Sequence, residues 1–117
     1  MRLIADVAMK GDRLVVLDLA FVEVANAIWK RLHRGMASLE ESLDFLSDLR
    51  LCPVYVEAAD ALLESALEIA AKHDRAVYDA LFVALCQHLD LPGITADEPL
   101  FNAVHADFPR ITLLRYW

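Results

Sequence analysis

The chain has 117 residues, 58% of them apolar and 25% charged, with a formal net charge of −7. That length supports one hydrophobic core without disulfide or metal staples, and the acidic balance argues against broad electrostatic binding of nucleic acid. No apolar run approaches the ~18–20 residues of a membrane span; Ala76 to Leu89 is broken by Asp79, Gln87 and His88.

In chain order, Leu3 to Lys10 reads as the end of an amphipathic helix closed by Gly11. Arg13 to Leu17 is a short β-rich run and predicts a buried strand. From Leu19 to Arg34 the apolar spacing turns helical, with Gly35 as the stop. Ser38-Leu-Glu-Glu41 is a capping box that opens a helix to about Leu49. Pro53 to Val56 suits a short edge strand, where proline is tolerated. Ala58 to Lys72 and Ala76 to Leu89 carry apolar residues at helical spacing. Pro92 to Asp97 predicts a brief strand with an acid just past its end, followed by a short helix over Glu98 to Val104. Ile111 to Leu114 is the last strand.

Alternating strands and helices imply an α/β fold with a mostly parallel sheet. No repeat, low-complexity tract or composition break divides the chain, so residues 1–117 read as a single domain. Three and four residues of Gly and Pro leave little room for linkers. An apolar fraction above the usual ~45–50% calls for a buried outlet, and a homodimer or partner interface is the simplest. The start of the chain lacks the pattern of a signal peptide. Cys52 and Cys86 have no paired spacing and read as reduced, buried thiols of a cytoplasmic protein.

In open α/β sheets, sites collect at the carboxyl ends of the strands, which directs attention to Asp18, Glu23 and Asp97. Glu23 and Asp79 each sit near the start of an apolar helix, and Asp97 follows the strand Gly-Ile-Thr. An ionised carboxylate in such surroundings costs several kcal/mol unless a cation or donors compensate. Hard oxygen ligands of this kind suit Mg²⁺ or Mn²⁺. Each acid also has a plainer reading. Asp79 would favour a helix amino terminus, Asp97 would cap the next helix, and Glu23 would pair with Lys30 or an arginine. Lys30, Arg31 and Arg34 form a basic helix end suited either to the helix dipole or to an RNA backbone. No Gly-x-Ser-x-Gly, catalytic histidine motif or glycine-rich phosphate loop is present.

The series Glu23-Val-Ala-Asn-Ala-Ile, then Tyr78-Asp-Ala-Leu-Phe-Val-Ala-Leu, then Thr95-Ala-Asp97 resembles the acidic motifs of PIN domains, in particular VapC-type toxin ribonucleases. The resemblance runs from Leu3 to the last strand. It implies a PIN-like three-layer α/β/α sandwich with a short, mostly parallel central sheet. It also implies a metal-dependent endoribonuclease toxin, with RNA as substrate and a VapB-like antitoxin as partner. Carried over by position, Glu23, Asp79 and Asp97 would bind Mg²⁺ or Mn²⁺, with the Thr95 hydroxyl in support. One departure stands out: the family's first strand and its terminal Asp have no counterpart, and Asp6, on a helix, is a poor substitute. Asp18 is a candidate replacement or a helix cap. The sequence is then a truncated form, a short form completed by a partner or by re-pairing, or a degenerate, non-catalytic PIN fold acting through dimerisation or antitoxin binding.

Overall fold

A computed structural model describes residues 14–116. The helix expected over Leu3 to Lys10, together with Asp6 and Arg13, lies outside the described residues. The chain divides between Glu57 and Ala58 into two compact units.

The first unit contains β1 (Leu14–Leu17), α1 (Ala20–His33), α2 (Leu39–Arg50) and β2 (Val54–Glu57). The two strands run parallel, with Leu14 opposite Val54 and Leu17 opposite Glu57. The Asp18 N–H donates to the Glu57 carbonyl at 2.8 Å and carries the ladder one step further. Pro53 sits just ahead of β2, so its missing N–H removes no ladder bond. Helix α1 turns a half-buried face of Phe21, Val24, Ile28 and Leu32 inward. Gly35 ends it at φ 72°, where glycine escapes the Cβ penalty, and the Gly35 and Met36 N–H groups return to the Leu32 and Arg31 carbonyls. The capping box at Ser38 forms in full. Its hydroxyl accepts from the Glu41 N–H at 3.1 Å, and the Glu41 carboxylate accepts from the Ser38 N–H at 3.2 Å. That backbone donor holds the Glu41 carboxyl below its ordinary range. Ser42 is the one fully buried residue described in this unit, while Trp29, Met36, Leu39, Leu43 and Phe45 remain exposed.

The second unit contains a 3₁₀ turn at Asp60–Leu62, then α3 (Leu63–His73), α4 (Val77–Leu89), β3 (Gly93–Thr95), α5 (Glu98–Val104) and β4 (Ile111–Leu113), and ends in a 3₁₀ turn at Leu114–Tyr116. The fully buried core lies here. Ala66, Ala80 and Ala84 let α3 and α4 approach closely, and Leu62, Leu81, Val83, Leu100, Val104 and Ile111 fill around them. Asp74 and Asp90 close the two helices at φ 54° and 52°, a left-handed conformation that Asp tolerates. Strands β3 and β4 are parallel, with Gly93 opposite Ile111 and Thr95 opposite Leu113.

This is the expected α/β fold, and every described strand pairing is parallel. The described strands form two pairs, one in each unit, with three or four residues per strand. The helix expected from Ala58 instead begins with the 3₁₀ turn, which buries Ala59 and Leu62 before α3 starts. Among the described residues no helix is long and apolar enough to cross a membrane. Both cysteines are free and half-buried, and burial pushes the Cys86 thiol up to about 11.

Gly93 is the tightest joint of the second unit. A Cβ there would meet Cys86 Sγ at 2.5 Å and Phe82 Cζ at 2.9 Å. Gly93→Ala is expected to cost about 1–3 kcal/mol in chemical denaturation, the range for overpacking. Adding Cys86→Ala should recover part of that loss by opening room for the methyl. A single Gly93→Ala variant as stable as the wild type would contradict this packing.

Candidate active site

The carboxyl end of β3 is built by three local contacts. The Thr95 hydroxyl oxygen accepts from the Asp97 N–H at 3.1 Å, which fixes the turn that leaves the strand. Asp97 Oδ1 then accepts from the Leu100 N–H at 3.0 Å and caps α5. The plainer reading of Asp97 is therefore correct as far as it goes. The cap uses one carboxylate oxygen, and the other stays available to a ligand.

Asp79 reaches the same end by a different route. Asp79, Phe82 and Cys86 stand at i, i+3 and i+7 of α4, one stripe of one helix face. That stripe is the one that touches β3, since Phe82 and Cys86 bracket Gly93. The short link from Asp90 to Pro92 turns the chain back, so helix and strand run in opposite directions from this joint. Asp79 lies seven residues back from Cys86, about 10 Å at the helical rise. Asp97 follows the turn that leaves β3 after Thr95. Both acids thus lie on the carboxyl-end side of the Gly93 joint. Asp79 is half-buried and makes no side-chain hydrogen bond or ion pair with another described residue.

Glu23 belongs to the other unit, in the first turn of α1. It is exposed, as is Asp97, so only Asp79 of the three sits in partly apolar surroundings. The apolar neighbours of Glu23 in sequence do not enclose it: Val22 is itself 64% exposed, while Phe21 and Val24 are half-buried. Among the described residues Glu23 pairs with neither Lys30 nor an arginine; Lys30 is seven residues away, beyond the reach of neighbouring turns. Lys30, Arg31 and Arg34 are exposed at the far end of α1. Asp18 follows β1 directly and is exposed, but the N-cap of α1 falls on Leu19, so the helix-cap reading of Asp18 does not hold.

Among the described residues no three His, Cys, Asp or Glu side chains form a ready metal-binding group. The second unit contributes two candidate acids at the mouth of β3, and the third candidate stands in the first unit. Their donor set is hard oxygen throughout, which fits Mg²⁺ or Mn²⁺ and not a softer metal. Three of the four histidines are otherwise engaged. His33 stacks near Trp29, His105 on Phe101, and His73 bonds the Ala103 carbonyl and Asp107.

One residue at this end escaped the sequence reading. Arg115 stands two positions past Leu113, as Asp97 stands two past Thr95, and it donates to both Glu98 carboxylate oxygens, at 3.1 and 3.4 Å. The parallel pairing of the two strands was the signal that would have found it.

A PIN-domain family model matches residues 2–105. Ribonuclease VapC3 of Pyrobaculum aerophilum is 34% identical over 93 residues, which cover 78% of this chain and 71% of that protein. This chain belongs to the PIN-domain family. Within it, the likeness is to the VapC type. The order of acidic motifs that characterises the sequence lies inside the matched PIN segment.

The double use of Asp97 separates charge from capping. Asn caps a helix as well as Asp does, so Asp97→Asn should keep the stability of the PIN fold within a few tenths of a kcal/mol. Asp97→Ala should lose about 1 kcal/mol. Denaturation midpoints of the two variants check this; equal losses would show that the cap carries no weight.

Proposed function

We propose that this PIN-domain chain is a metal-dependent endoribonuclease of the VapC type, acting on RNA in the cytoplasm and held in check by a VapB-like antitoxin. The observation that carries the proposal is the half-buried carboxylate of Asp79, without an ion pair among the described residues, on the helix stripe that leads to the end of β3, where the cap uses one Asp97 oxygen. An acid in such a place is stabilised by a cation more cheaply than by any neighbour it has. The ribonuclease name of the relative and the order of the motifs favour the same reading.

In this reading Asp79 and Asp97 of the second unit hold Mg²⁺ or Mn²⁺. When bound, the ion supplies a more acidic water and a countercharge for the attacked phosphate. The chain does the positioning. Thr95 fixes the Asp97 turn, α5 orients the Asp97 carboxylate through its cap, and Gly93 sets the height of α4 and so of Asp79. Lys30, Arg31 and Arg34 would steer the RNA backbone, offsetting locally the net charge of −7.

A homodimer or antitoxin interface is the outlet we assign to the exposed apolar side chains of α1 and α2, Trp29, Leu39, Leu43 and Phe45 among them. Those side chains also favour the second reading, a PIN fold that associates without cutting.

Cleavage of a mixed RNA pool with Mg²⁺ or Mn²⁺ tests the proposal. It should stop in EDTA and fall at least about 100-fold in Asp79→Asn and in Asp97→Asn, the upper end of what even outer-shell partners of a metal cost. Undiminished cleavage by both variants would dismiss the site. A wild type that forms stable complexes and cuts nothing with either ion would select the second reading.

A further inference from the structure

We propose that Arg115, braced by Glu98 and Tyr116, is an RNA phosphate contact at the carboxyl end of the β3–β4 pair. The inference rests on the ribonuclease reading and deepens it, by naming the group that meets the substrate backbone beside Asp97.

An acidic protein that handles a polyanion must place cations locally where the chain of phosphates passes. In the second unit Lys72 is engaged by Asp107 at 2.9 Å, and the Arg75 Nε donates to the Asp74 carbonyl of its own turn. Two arginines flank the short parallel pair itself. Arg110 lies at its amino ends, bonded to the Asp90 carbonyl and carboxylate ahead of β3. Arg115 lies just past its carboxyl ends, in the 3₁₀ turn after Leu113, and is joined to Glu98, the next residue after Asp97. Sites of open α/β folds form at the carboxyl ends, so of these two only Arg115 stands at the working end.

Its geometry suits a phosphate. A guanidinium has five N–H donors. Arg115 uses one on each Glu98 oxygen and one on the Tyr116 hydroxyl, and two remain. The guanidinium also lies 4.9 Å from the centroid of the Tyr116 ring. The side chain is thus held in one orientation from two sides while its outer edge stays 56% exposed. An exposed pair of this kind contributes little to stability, so folding alone does not account for the arrangement. Tyr116, 67% exposed, adds an aromatic face beside the cation. A charge for the backbone next to a ring for a base is the combination that receives single-stranded RNA.

The test uses a fluorescein-labelled single-stranded RNA oligonucleotide, with anisotropy read in EDTA so that binding is measured apart from cleavage. Arg115→Ala should weaken binding about tenfold and lower the salt slope by about one unit, as expected for a lost phosphate contact. Arg110→Ala removes the matched ion pair at the other end of the strands and should change neither. In metal-dependent cleavage Arg115→Ala should raise KM by a similar factor with kcat nearly unchanged. Glu98→Gln should tighten binding, since it removes a competing anion and leaves the cation in place. Equal behaviour of Arg115→Ala and Arg110→Ala would overturn the proposal while leaving the ribonuclease reading intact. A wild type that neither binds nor cuts RNA would overturn both.

Discussion

The contact of Gly93 with Phe82 and Cys86 sets the geometry on which the second unit depends. It presses α4 against β3 at a distance that excludes even a methyl group. Because helix and strand diverge from that point in opposite senses, it also fixes how far each has travelled when it reaches the mouth of the pair. Asp79 and Asp97 both lie on the carboxyl-end side of that joint. The helix stripe that supplies Phe82 and Cys86 to the packing also carries Asp79, the candidate ligand of the proposed site.

Much of this was legible in the sequence. The capping box Ser38-Leu-Glu-Glu41 announced α2, and Gly35 announced the end of α1, because both act through local hydrogen bonds that need no tertiary partner. The parallel pairing followed from the alternation of strands and helices. What the sequence concealed was set by neighbours distant along the chain. Glu23 is exposed despite its apolar neighbours because Val22 beside it is exposed too, and the half-buried face of α1 is made by Phe21, Val24, Ile28 and Leu32. Asp18 resembled a cap, but the N-cap position falls one residue later, on Leu19, and the helix starts at Ala20. Arg115 gave no local signal at all, since only the register of β3 with β4 brings it beside Glu98.

The charges are arranged economically for so acidic a chain. Each arginine flanking β3 and β4 is matched by an acid across the pair, Asp90 at one end and Glu98 at the other. Asp97 is turned inward to its own helix. Asp79 alone is left half-buried without a neighbour of opposite charge among the described residues. Unpaired carboxylates in partly apolar surroundings are costly, and folds that retain them draw compensation from a bound cation. The first unit shows the opposite imbalance, with apolar side chains exposed along α1 and α2 and, among its described residues, only Ser42 fully buried. Such a surface gains stability from whatever covers it.

The central claim is that Asp79 and Asp97 serve one cation. Calorimetric titration of Mn²⁺ into the wild type, Asp79→Asn and Asp97→Asn tests it most directly, because it reads the ion and not the reaction. The account predicts saturable binding by the wild type, weakened at least about tenfold by either substitution, with the fold intact by circular dichroism. Equal Mn²⁺ affinity in all three proteins would contradict it.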